Sequence, residues 1–170
     1  GFQRYSGLQL NDGRPGSFSV FDSKHAAEQV ASIARKWMQS RPELTNYHLD
    51  IALQGEIGLM VTATTPYTGR QEYAVARLYR TDASIQEVNA AIEREGLEAI
   101  HAIPGMLRYM TVKLEDGRIA TFNAFETEQS ARTMSQTAKD LRMKSGSLLH
   151  KVFPHDPEVL EGKILFTYRK

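Results

Sequence analysis

The sequence has no cysteine. Disulfides, thiolate chemistry and cysteine-ligated metals are thereby excluded, and a reducing, cytoplasmic setting is the expectation. Charge of one sign is lacking too: 21 Lys and Arg stand against 20 Asp and Glu. So balanced a chain offers no general field for nucleic acid or an anionic membrane, and neither partner is expected. No apolar run approaches the roughly 20 residues of a membrane helix. The longest, around Ile57–Thr65, is interrupted by Gly58 and three threonines. There is no basic and apolar leader pattern, and the chain opens on Gly1 rather than Met, which fits a processed or truncated start. Walker A loops, dinucleotide fingerprints, nucleophile elbows and His-x-x-x-His pairs are all missing. No cofactor and no metal site are expected.

What remains is ordinary globular composition, 41% hydrophobic and 24% charged, organised by an internal repeat. Residues 1–38 align without gaps on 105–142, and eleven of these 38 positions are identical. They include Arg4/Arg108, Tyr5/Tyr109, Leu10/Leu114, Asp12/Asp116, Gly13/Gly117, Arg14/Arg118, Phe18/Phe122 and Phe21/Phe125. Unrelated sequences would share roughly two or three. After a three-residue slip, Leu53-Gln-Gly55-Glu-Ile57 meets Leu160-Glu-Gly162-Lys-Ile164. Two matched segments in the same order indicate duplication.

Each copy reads as strand, hairpin, strand, helix, strand. Tyr5–Leu10 and Tyr109–Leu114 alternate apolar and polar residues, as half-buried strands do. Asp12-Gly13 and Asp116-Gly117 are hairpin signals, with return strands at Ser17–Phe21 and Thr121–Phe125. Asp22-Ser23 and Glu126-Thr127 have the chemistry of helix N-caps. One helix then places Ala27, Val30, Ala31, Ala34, Trp37 and Met38 on an inward stripe, and the other Ala131, Met134, Ala138 and Leu141. Closing strands follow at about Gly55–Thr64 and Gly162–Arg169. The second copy alone has an opening: a strand over Glu72–Arg80, then a helix with a Ser84/Glu87 capping box and Ile85, Val88 and Ile92 inward. It ends at Ile103-Pro104-Gly105. The expected class is therefore α+β, with two ferredoxin-like modules. Residues 1–66 form an incomplete β-β-α-β unit and 72–170 a complete β-α-β-β-α-β unit. A module without its opening strand has two unpaired edges. Either a natural N-terminal segment, a second chain or a rearranged Asp50–Thr65 fills the gap.

The Pro104-Gly105 start, Tyr109, Asp116-Gly117-Arg118, Phe122 and Phe125 together resemble the dimeric α/β-barrel superfamily, in particular antibiotic-biosynthesis-monooxygenase-like proteins. Gly1, Tyr5, Asp12-Gly13-Arg14, Phe18, Phe21 and Trp37 repeat the pattern. The resemblance implies two such sheets meeting face to face around a barrel. It also implies an oligomer, and activities ranging from cofactor-independent oxygenation to none, so fold alone leaves function open.

With one sheet face against helices and the other toward the barrel, alternation assigns Leu8, Leu10, Phe18, Val20, Val112, Leu114, Phe122 and Ala124 to the helices. Tyr5, Gly7, Gln9, Ser17, Ser19 and Phe21 then face the barrel, as do Tyr109, Thr111, Lys113, Thr121, Asn123 and Phe125. Arg77 and Tyr79 are placed with them. Arg77, Tyr79, Tyr109, Asn123 and Phe125 thus form the candidate ligand site, since rings with a few polar groups suit a small apolar or aromatic molecule. In an oxygenase acting on a phenolic or quinol-like substrate, Tyr79, Tyr109 and Asn123 would bind its oxygens. The plainer account is that these side chains fill the barrel of a non-catalytic assembly module. An open cleft of some 300 Å³ or more would favour binding. Trp37 is read as core and Arg4/Arg108 as rim salt bridges. His25, His48, His101, His150 and His155 are scattered over helix ends and loops.

Overall fold

The computed structural model describes residues 1–41, 51–63 and 72–170. Strands β1 (Phe2–Leu10) and β2 (Pro15–Phe21) lead to α1 (Lys24–Gln39) and β3 (Gly55–Thr62). Then come β4 (Tyr73–Tyr79), α2 (Ile85–Glu95), α3 (Leu97–Ala102), β5 (Met106–Leu114), β6 (Ile119–Phe125), α4 (Glu128–Met143), α5 (Leu148–Val152) and β7 (Glu158–Arg169).

Local chemistry accounts for most of these boundaries. Gly13 and Gly117 both sit at φ 88°, where a side chain would be strained, and both turns close with the same Asp–Arg clasp. Ser23 and Thr127 cap α1 and α4 by accepting from Ala26 N and Ser130 N. The Ser84/Glu87 capping box is complete at the start of α2. Gly96 ends α2, and a separate short helix, α3, follows where the sequence pattern runs a single helix on to Ile103-Pro104-Gly105.

All seven strands join one curled antiparallel sheet in the order β2-β1-β7-β4-β6-β5-β3. Where two sheets set face to face are expected, the two halves are hydrogen-bonded edge to edge, through β1–β7 and β3–β5. Within 72–170 the order β7-β4-β6-β5 is that of the split βαβ arrangement. β2 and β3 are the two ends of the sheet. The curl brings Phe18 of β2 onto Phe122 of β6, stacked at 3.7 Å, and lets Lys24 reach Glu115 at 2.9 Å.

The main core lies between this sheet and helices α2, α3, α4 and α5. Tyr73, Val75, Tyr79, Tyr109 and Phe125 pack there against Val88, Ile92, Ile100, Met134 and Leu149. The concave face carries a smaller cluster of Leu78, Leu114 and Ala120 with Val112 and Leu160. The expected face assignment is therefore reversed. Both faces of the central strands are buried, so aliphatic character did not mark the helix side. Polar side chains could occupy it because helix residues bond them: Thr111 Oγ1 donates to Asn89 Oδ1 at 2.7 Å and Arg77 Nη2 donates to Ser135 Oγ at 2.5 Å.

α1 departs further. Of its expected inward stripe, Ala27, Ala31 and Met38 are only half-buried while Val30, Ala34 and Trp37 are exposed, and no α1 residue is fully buried. Trp37, read as core, is 53% exposed and Val30 42%. Helical spacing reports an apolar face, not the presence of a surface to receive it. At the equivalent positions of α4, Ala131 and Met134 are buried.

Candidate functional site

The structure brings all five candidate residues to one face, between the sheet and the helices of 72–170 rather than toward the concave side. Arg77, Tyr79 and Tyr109 line a cavity of about 220 Å³ there. Asn123 and Phe125 are fully buried on the same face. A small cavity on the concave side, next to Phe18 and Phe122, holds about 10 Å³, room for no more than about one water.

Arg77 is the electrostatic centre of this cavity. It is 5% exposed, and its guanidinium donates to Ser135 Oγ; with the Asn123 amide turned so that its oxygen faces the cation, Nη1 donates to that oxygen at 2.8 Å. In that orientation the Asn123 amide nitrogen donates to Phe122 O at 3.3 Å. Among the described residues no carboxylate pairs with Arg77. A buried cation held only by neutral groups leaves a positive potential in an apolar space. Burial raises the Tyr79 hydroxyl above the ordinary phenol value, with Arg77 pulling the other way. Burial raises Tyr109 as well, reinforced by Tyr79. Both phenols therefore stay neutral through the physiological range and act as donors or acceptors rather than bases.

The far wall is apolar: Ile92 and Ile100, Met134, Leu141, Leu149 and Phe153. Phe153 stacks on Tyr79 at 4.0 Å. Sequence periodicity had marked Ile92, Met134 and Leu141 as inward. It gave no sign of Ser135, Leu149 or Phe153, because the α4–β7 crossover that supplies the last two is fixed by distant contacts. Glu95 of α2 accepts from Leu148 N and Ser147 Oγ, both at 2.9 Å. Thr81 Oγ1 donates to Val152 O at 2.6 Å. Arg142 donates to His155 O and is ion-paired with Asp156 at the cavity mouth.

The remaining expectations are placed as follows. His25 is exposed in the first turn of α1, and His150, expected in a loop, lies in α5. His48 lies outside the described residues. Glu98 and His101, a Glu-x-x-His spacing, lie on α3, and no third potential ligand joins them among the described residues. Arg4 and Arg108 are on the concave face beside Ser6. Burial, then Arg108 and Arg169, pushes Arg4 down to about 10. Arg108 makes no ion pair among the described residues, and its buried Nε has no partner there, so the expected rim salt bridge is absent at that copy. No helix among the described residues is long and apolar enough to cross a membrane.

No family model matches the sequence, and no curated protein does. Solved structures do. An anthrone oxidase-like protein matches over 99% of this chain and 79% of its own, with TM-score 0.66 and 14% identity. A “putative monooxygenase” of Fusobacterium nucleatum subsp. nucleatum matches over 100% and 79%, at TM-score 0.63 and 10% identity. A major regulator of staphylococcal pathogenesis matches over 94% and 84%, at TM-score 0.56 and 9% identity. The likeness at these identities is one of fold.

Proposed function

We propose that this protein binds a compact aromatic molecule carrying an acidic or anionic oxygen, in the cavity between the sheet and the helices of residues 72–170. The observation that carries this reading is Arg77: 5% exposed, without a carboxylate partner among the described residues, facing the apolar wall of a cavity whose other charged side chains are Lys139, Arg142 and Asp156. An apolar ligand body would replace solvent against Met134 and Leu149. A phenolate or enolate oxygen would supply the charge that Arg77 lacks, as charge-assisted hydrogen bonds do. The volume, about 220 Å³, lies under the usual 300–1,000 Å³ of ligand pockets, which points to one or two fused rings. The concave face, packed around Phe18 and Phe122, serves assembly rather than binding.

Cofactor-independent oxygenation of a phenolic or quinol-like substrate is the second reading. It is favoured by the names of two similar structures and by the same Arg77, which would stabilise a substrate carbanion or enolate. The balanced step converts an activated CH2 and dioxygen to a carbonyl and water. Its weak point is the base: neutral Tyr79 and Tyr109 are poor ones, and Asp156 is engaged by Arg142.

Titration calorimetry with 1-naphthol and naphthalene tests binding. Naphthol should bind at least about tenfold tighter, a difference of about 1.4 kcal/mol; equal affinities would remove the role given to Arg77. Oxygen uptake with phenols and anthrones, at stoichiometric yield of the carbonyl product, would establish the second reading; no uptake would leave the binder alone.

A further inference from the structure

Helix α4 sets the length of the ligand cavity. Ser135, which accepts from Arg77, is followed by Lys139 and Arg142 at four and seven residues along that helix, so the three share one face. The helical rise carries Lys139 about 6 Å and Arg142 about 10 Å along the axis from Ser135. Ala138 and Leu141 line the wall beside them. The space therefore runs from the buried Arg77 to a mouth formed by Lys139, Arg142 and Asp156.

The charges along this path do not balance. Arg77, Lys139 and Arg142 are cations, and Asp156 is the one carboxylate among the described residues that line the cavity. Asp156 is engaged by Arg142. Lys139 is exposed and has no ion pair among the described residues. The Asp156 carboxyl is held below its ordinary value by Arg142 first and by Lys139 behind it, so both cations act on one point at the mouth. Arg142 is 11% exposed and well anchored, whereas the Asp156 side chain is 85% exposed. An ion pair with one partner so exposed is weak and exchangeable. The mouth is thus a carboxylate position with a loosely held occupant.

We infer, resting on the binding reading above, that the ligand is an aromatic hydroxy acid: its phenolic or enolic oxygen meets Arg77, and a carboxylate at the opposite end of the rings meets Lys139 and Arg142 in place of Asp156. The rings lie between these anchors, against Leu141 and Phe153. The carboxylate stays at the solvent edge and loses little hydration, so it selects among phenols at low desolvation cost. Lys139 and Arg142 also offset the negative end of α4. A role confined to the helix would leave ligand choice untouched.

Calorimetry at neutral pH compares 6-hydroxy-2-naphthoate, 2-naphthol and 3-hydroxy-2-naphthoate, whose two groups sit side by side. The first should bind at least about tenfold tighter than 2-naphthol, and the side-by-side isomer should lack that advantage. Lys139→Gln should cut the ratio of affinities for 6-hydroxy-2-naphthoate and 2-naphthol by about threefold or more. Asp156→Asn, which removes the competing carboxylate, should widen the same ratio by about threefold. Equal affinities for these two ligands, a ratio that neither substitution moves, or an isomer that binds as tightly would overturn the inference. Naphthol binding that still depends on Arg77 would then leave the reading beneath it standing. Failure of all three compounds to bind would overturn both.

Discussion

Replacing Arg77 with Met keeps a long flexible side chain and removes the charge, and the structure sets the scale of the outcome. Wild-type Arg77 is 5% exposed, with Ser135 and the turned Asn123 amide as two neutral hydrogen-bond partners. Hydrogen bonds to a charged group contribute about 1.5–3 kcal/mol each, so their loss costs about 3–6 kcal/mol. Against this, burying an unpaired ion carries a penalty of several kcal/mol that the variant no longer bears. Ser135 is not orphaned, because its hydroxyl also donates to Ala131 O at 2.9 Å. The Asn123 amide oxygen does lose its partner. The terms nearly cancel, and Arg77→Met should unfold in urea within about 2 kcal/mol of the wild type. Binding is expected to behave differently: affinity for 1-naphthol should fall at least about tenfold, while that for naphthalene holds or rises. A residue retained for its ligand shows that split. A loss of more than about 4 kcal/mol in stability with naphthol affinity intact would refute the reasoning and make Arg77 a structural residue.

Equivalent positions of the two repeats should respond unequally: Met134→Ala should cost about 2–5 kcal/mol in urea unfolding and Val30→Ala less than about 0.5 kcal/mol, since the first empties a core site and the second trims a surface. Tyr109→Phe should leave stability within about 1 kcal/mol and weaken 1-naphthol binding severalfold, read by calorimetry. The Leu148 backbone N–H holds the Glu95 carboxyl below its ordinary value. Protection of α5 in hydrogen exchange should therefore be complete above the unfolded Glu value of about 4.3 and fade as pH falls through the lower folded value. In Glu95→Gln that acid dependence should vanish. Ultraviolet titration should show Tyr79 and Tyr109 still protonated at pH 10, because burial raises both.

Much of the fold is legible in the chain because local chemistry specifies it. The Asp-Gly turns, the Ser84/Glu87 box and the paired caps at Ser23 and Thr127 all read out directly, and the repeat gives the strand order of each half its template. What did not read out depends on partners. Whether Tyr109 or Met110 faces the helices is not decided by alternation when both are buried, at 5% and 0% exposure. Arg77 was selected as a site residue but set on the wrong face, because its partners Ser135 and Asn123 come from distant segments. Trp37 looked like core because its stripe is apolar, and periodicity carries no information about a missing neighbour. Leu149 and Phe153 escaped notice for the same reason in reverse: their burial comes from the Glu95, Thr81 and Arg142 anchors and not from any pattern of their own.

The central claim is that the ligand space lies between sheet and helices around Arg77, not inside the curl of the sheet. Methyl-resolved NMR of the protein with 1-naphthol tests it most directly. The account predicts intermolecular contacts from the aromatic protons to the methyl groups of Ile92, Met134 and Leu149. Contacts instead to Leu8, Met110 and Ile164 on the concave face, or to no buried methyl at all, would contradict it.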